Sequence, residues 1–176
     1  VLAEIARENK LATQMGNHGR SGEGHRQTVE WLTDGAIGAV KEAHAWSGTP
    51  RTAGSTWPGE GPAVQPGGLN WDLWLGPRSE RPYSGKLAPF VWRWVWDFGN
   101  GTMPDMAPHH FDPAFNALGL DAPVTVKATA SFVDPQVTTG SNLVIYQYDA
   151  RGTRAPLTLF WYDNGLRPPT PLGIDP

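Results

Sequence analysis

Three residues in this sequence are spaced for proton chemistry. Asp105, His109 and Asp112 fall at positions i, i+4 and i+7, which a helix turning about 100° per residue returns to one face. A carboxylate one turn before an imidazole can orient the ring, and an oriented imidazole can take a proton from a hydroxyl group. The same spacing suits a capping aspartate beside a packed or surface histidine, so spacing alone leaves both readings open. A third reading adds His110 and treats the four side chains as ligands for zinc or manganese. Against it, His110 projects about 100° away from His109 on a regular helix, so the four cannot converge.

The elements that must position these residues can be read around them. Gly99-Asn100-Gly101-Thr102 is a flexible entry to a helix over about 103–118, closed by Gly119. Pro108 and Pro113 predict a kink in it, because proline removes an amide donor and crowds the preceding turn. Ahead of it, Trp92, Arg93, Trp94 and Trp96 form a dense aromatic stretch, and 71–77 reads as a compact aromatic turn. Residues 24–33 read as a helix ended by Gly35, 40–46 as a strand, and 47–69 as a long loop. In the last third, strands are predicted at 124–132, 143–148 and 157–162, the last two joined by the hairpin signal Asp149-Ala150-Arg151-Gly152-Thr153. Strands that follow one another without helices between them imply antiparallel pairing, so the fold class is α+β: a largely antiparallel open sheet with helices on one face.

Both ends read as cut. Residues 1–10 carry helical spacing, and Leu11-Ala12-Thr13-Gln14-Met15-Gly16 reads as a short buried strand. Helix then strand is the rhythm of an α/β unit, so residues 1–16 are expected to be the tail of a preceding parallel-sheet domain. Residues 17–176 are then a substrate-binding α/β domain that stops in a proline-rich loop.

Composition narrows the partners. With 176 residues, 39% hydrophobic and 18% charged, the chain is globular. A net charge of −3 without a local Lys/Arg cluster argues against nucleic acid, and no apolar run approaches the ~20 residues of a membrane span. Without cysteine there is no disulfide, thiolate metal site or thiol nucleophile, and the compartment stays open between cytoplasm and periplasm. The nine tryptophans suit a surface for flat or polyhydroxylated ligands, with about half expected to be core filler.

Five segments in order carry a family resemblance: Ala12-Thr13-Gln14-Met15-Gly16-Asn17, Gly35-Ala36-Ile37-Gly38-Ala39-Val40, Trp71-Asp72-Leu73-Trp74-Leu75-Gly76-Pro77, Trp92-Arg93, and the stretch from Gly101 to His109. Together they resemble the Gfo/Idh/MocA family of NAD(P)-dependent oxidoreductases, especially its environmental bacterial members, over 1 to about 169. The resemblance implies a C-terminal domain on a largely antiparallel sheet, often used for homo-oligomer contacts. It implies His109 as general base for a substrate hydroxyl with Asp105 as its partner. Trp92, Arg93 and Asn17 become candidates for contact with NAD or NADP. His18, Arg20, Trp74, Asp97 and His110 become candidates for contact with a sugar, inositol or related polyol. No metal is implied. Ala107 and Pro108 stand where relatives usually have small residues, often glycine.

The family's catalytic lysine sits in a Glu-Lys-Pro motif, and its cofactor fold carries G-x-G-x-x-G after a strand; neither occurs here. The dinucleotide domain is therefore expected to lie upstream, and this chain alone is expected to be inactive. Two alternatives stay open: an NAD-dependent glycoside hydrolase of the same family, and a non-catalytic polyol-binding or interaction fragment.

Overall fold

The computed structural model describes residues 1–14, 16–48 and 64–173. The chain forms α1 (Leu2–Glu8), α2 (Glu23–Thr33), β1 (Glu42–Trp46), α3 (Trp71–Leu75), α4 (Thr102–His110), α5 (Asp112–Leu118), β2 (Thr125–Ala130), β3 (Asn142–Tyr148) and β4 (Leu157–Tyr162). Two single-turn 3-10 segments, His18–Ser21 and Val91–Trp94, complete the set. Most of the long loop predicted at 47–69 lies outside the described residues. Among the described residues no helix is long and apolar enough to cross a membrane.

The four strands form one mixed open sheet in the order β1-β4-β3-β2. β2 with β3 and β3 with β4 are antiparallel, as hairpin chemistry requires, while β1 lies parallel to β4. The alternation of side chains assigns the faces. Ala43 and Ala45 of β1, Leu157, Leu159 and Trp161 of β4, and Val144, Tyr146 and Tyr148 of β3 face α4 and α5 and form the core there. The opposite face carries His44, Trp46, Phe160, Tyr162, Leu143 and Ile145 and no helix covers it among the described residues. On it His44 stacks on Phe160, centroids 4.5 Å apart and planes 5° apart, and lies 3.1 Å from the Tyr162 hydroxyl. Burial, and then Glu42, push the Tyr162 hydroxyl pKa up.

A second core sits beside the sheet, where Trp71, Leu75, Leu87, Val95 and Val137 pack together. It holds the aromatic stretch ahead of α4. Trp94 is 2% exposed, and its indole N–H donates to Thr102 Oγ1 at 2.8 Å.

Two expectations are corrected. The single helix over 103–118 is two helices, broken at Phe111, and Pro113 opens the second near its first turn, where it needs no amide partner. Pro108 lies inside α4, which runs on past it to His110. Residues 11–14 form no strand and are exposed, and Met15 lies outside the described residues. A strand exists only through a neighbour's hydrogen bonds, and neither edge of this sheet pairs with 11–14.

Candidate active site

The start of α4 is fixed from three sides. Gly101, the residue before the helix, has φ 90°, a backbone region open essentially to glycine. Its amide donates to the Arg93 carbonyl at 2.9 Å. A Cβ on Gly99 would collide with that same stretch of the Arg93 backbone. Thr102, 2% exposed, donates to Asn164 Oδ1 at 3.2 Å just past the end of β4. The Gly-Asn-Gly segment thus locks the Trp92-Arg93 turn against the first turn of α4.

That lock brings Arg93 to Asp105. Arg93 Nε lies 3.8 Å from Asp105 Oδ2, and the guanidinium sits 4.5 Å from the Trp92 ring centroid and 4.7 Å from that of Phe90. Aromatic faces attract a cation and limit its freedom. Arg93 Nη1 also donates to the Phe90 carbonyl, and Trp92 Nε1 to the Pro89 carbonyl. Two candidate cofactor contacts and one candidate catalytic residue therefore form a single cluster.

His109 stands one turn along the same face and is exposed. Its Nδ1 lies 2.9 Å from Asn17 Oδ1. The pairing of Asp105 with His109 predicted from spacing is replaced by two separate pairings, Asp105 with Arg93 and His109 with Asn17. The physical reason is the approach of Arg93 to Asp105, since a cation competes well for a half-exposed carboxylate.

Asp112 has left this face. The break at Phe111 turns it toward Arg20 Nη1 at 3.2 Å and His25 Nε2 at 3.5 Å. Arg20 also reaches the rim of a cavity of about 660 Å³ on another flank of α4, lined chiefly by Met103, Pro104, Pro108, Phe111 and Tyr146. Tyr146 in that wall has its hydroxyl pKa raised by burial, and then by Tyr148. His18 opens its 3-10 turn in an exposed position beside Asn17.

His110 points elsewhere. Its ring lies 6.1 Å from that of Trp161, and it lines a cavity of about 420 Å³ with His44, Ala45, Trp46 and Gly48. Partial burial, and then the neighbouring His109, lower its pKa. Trp74 and Asp97 belong to the second core's neighbourhood. Trp74 stacks on Trp71 at 4.6 Å and packs near Phe98, while Asp97 pairs with Arg81 and Arg78. Asp105, His109, His110 and Asp112 thus point to four different partners, and among the described residues no cluster of three or more His, Cys, Asp or Glu could hold a metal ion.

Residues 48–157 match the sequence model of an oxidoreductase family, its C-terminal alpha/beta domain, of Gfo/Idh/MocA type. This chain belongs to the Gfo/Idh/MocA oxidoreductase family. The match covers more than half of the chain and includes Trp92, Arg93, Asp105 and His109. A search of curated proteins gave no match.

The Gfo/Idh/MocA frame leaves three features that sequence reasoning did not find. Phe90 as a second platform for Arg93 is a local contact three residues apart, while the link from Thr102 to Asn164 under α4 and His25 at Asp112 join distant segments. Only the dense aromatics of 90–98 hinted at any of them.

Proposed function

We propose that this domain forms the substrate wall of an oxidoreductase that transfers hydride between NAD(P) and a hydroxyl-bearing carbon of a sugar, inositol or related polyol. The observation that carries this reading is the exposed face of α4, where Asp105, tied to Arg93, and His109 stand one turn apart. The family match supports the reaction class.

The residues fit a dinucleotide neighbour in one respect. Arg93 is a cation held on two aromatic rings and paired with Asp105, a donor set suited to the anionic phosphates of NAD(P). When bound, the nicotinamide supplies the hydride acceptor. His109 takes the hydroxyl proton at Nε2 while the hydrogen on carbon leaves with its bonding electrons as hydride, so the alcohol becomes a carbonyl and the ring gains one proton. Asp105 keeps Arg93 in place, and the Trp92-Arg93 turn forms a wall beside the base.

The test joins this chain to a nucleotide-binding partner domain that carries G-x-G-x-x-G and Glu-Lys-Pro. Offered a carbon-deuterated polyol and oxidised cofactor, the joined protein is expected to deposit deuterium on the nicotinamide with net formation of reduced cofactor. The 176-residue chain alone is expected to do neither. Turnover without net reduction of NAD would replace this reading with the glycoside hydrolase, and turnover by the isolated chain would overturn the division of labour.

The sheet face that no helix covers among the described residues is the surface we propose for a second copy. Trp46 is 43% exposed there, beside the His44–Phe160–Tyr162 stack, and large aromatics on a continuous face favour association. Phe160→Asp is expected to shift the protein to monomer in light scattering after size exclusion. An unchanged mass for that variant, or a monomeric parent, would remove the proposal.

A further inference from the structure

Two contacts join the start of the chain to the bend between α4 and α5, and they are in register. Asn17 and Arg20 stand three residues apart on and before the His18–Ser21 turn. His109 and Asp112 stand three residues apart across the break at Phe111. Asn17 meets His109 and Arg20 meets Asp112, each pair separated by 92 residues in the chain. Two short helical pieces therefore lie side by side with matched rungs.

The second rung is the stronger. Asp112 accepts from Arg20 on Oδ1, its Oδ2 lies 3.5 Å from His25 Nε2 without a hydrogen bond between them, and the side chains of His25 and Asp112 are only 10% and 14% exposed. Packing of α2 on α5 surrounds it. The first rung is exposed and has a single contact, so its geometry depends on the second.

The first rung also has a chemical direction. A carboxamide oxygen can only accept a hydrogen bond, so Asn17 Oδ1 at 2.9 Å from His109 Nδ1 requires the proton to sit on Nδ1. In a neutral imidazole the other nitrogen is then bare, and the bond made by one ring nitrogen decides the state of the other. Asp105 does not fill this role, because its carboxylate faces Arg93.

We propose that Asn17 is the positioning residue that holds His109 as its Nδ1–H tautomer, leaving Nε2 as the proton-accepting atom, and that the Arg20–Asp112–His25 rung keeps Asn17 there. The amide rotated by half a turn would do the opposite. Its NH2 would donate to Nδ1, Nε2 would carry the proton, and the ring could not accept one at that atom.

The inference rests on the reading of His109 as base for its catalytic meaning, but its structural content is measured without turnover. In the 15N-labelled 176-residue chain, long-range nitrogen–proton correlations of the imidazole report which nitrogen is bare. They are recorded in alkaline buffer, where imidazole is neutral. The His109 signals are assigned by their loss in His109→Gln, and the tryptophan indole signals verify folding in each variant.

The expected parent spectrum has a protonated Nδ1 and a bare Nε2. Asn17→Ala is expected to shift both nitrogens toward the average of the two tautomers, and Asn17→Asp to restore the parent pattern. Asp112→Asn should move them the same way as Asn17→Ala, and Asp105→Asn should leave them in place. A bare Nδ1 in the parent, or an Asn17→Ala spectrum identical to it, overturns the assignment. An unmoved spectrum in folded Asp112→Asn removes the supporting rung. In the joined protein, Asn17→Ala is expected to lower kcat by about 10- to 100-fold with little change in KM, the range over which partners behind a functional imidazole act. If His109→Ala leaves turnover unchanged while the tautomer is as stated, the proposed function fails and the positioning assignment survives.

Discussion

In this chain joined to a nucleotide-binding partner domain, His109→Ala is expected to lower kcat by about 10²- to 10⁴-fold, the usual contribution of a positioned general base. The loss should fall on kcat and kcat/KM alike, because the proton moves only in the transition state. Cofactor affinity should stay close to that of the parent, since His109 is exposed and its polar contact is to Asn17 rather than to the Arg93 cluster. Asp105→Asn separates the two rungs of the argument. It removes the charge that holds Arg93 while leaving the His109–Asn17 contact, so it should weaken the cofactor-side wall and depress turnover less than loss of the base does. Steady-state kinetics with a polyol series and cofactor titrations by fluorescence check both variants. Parent-like turnover in His109→Ala would remove the base from His109. A fall for Asp105→Asn as deep as that for His109→Ala would restore a direct partnership between the two.

The fold was legible where local pattern and tertiary structure agree. Residues 143–148 and 157–162, joined by a turn with Gly152, read as a hairpin and pair as one from Leu143↔Tyr162 to Tyr148↔Leu157. The helix over 103–118 was legible as helical residues but not as two pieces. Proline predicts that a helix is perturbed; where the chain bends depends on the contacts that capture Asp112, and Arg20 and His25 lie far away in sequence. The parallel pairing of β1 with β4 was hidden for the same reason, since nothing in Glu42–Trp46 names its neighbour. Tryptophans divided much as their chemistry allows. Trp71, Trp94 and Trp161 are buried with their indole N–H groups satisfied, while Trp31, Trp46 and Trp96 keep 43% or more of their surface exposed. At the site, spacing placed Asp105 and His109 on one face and could not say whom each would meet. The Arg93 approach to Asp105 needed the Gly99–Gly101 turn, whose glycines read only as flexibility.

Asp163→Ala is expected to destabilise the domain by about 3–5 kcal/mol, as loss of an acceptor that leaves several buried donors unpaired should. Asp163 is fully buried and follows directly on the end of β4. Its Oδ1 accepts from the Asn142 backbone amide at 2.7 Å, its Oδ2 from the Trp161 indole at 2.9 Å, and both oxygens from Asn142 Nδ2. The carboxylate therefore ties the start of β3 to the end of β4 and fixes Trp161, the largest side chain under α4. Removing it strands the indole N–H and an amide in a space water does not reach. Asp163→Asn keeps one acceptor oxygen and should cost less, about 1–3 kcal/mol for the hydrogen bonds it cannot make. The consequence extends to the site. Asn164, the next residue, accepts from Thr102 and pins the first turn of α4, so a loosened strand end should also loosen the helix that carries Asp105 and His109. Urea titrations of the three proteins measure the first effect. Hydrogen exchange of the α4 amides measures the second, and it should rise in Asp163→Ala under conditions where the chain remains folded. Equal unfolding midpoints for Asp163→Ala and the parent would mean that this buried carboxylate is not what closes the β3–β4 end. Faster global unfolding with unchanged α4 exchange would uncouple the strand end from the active-site helix.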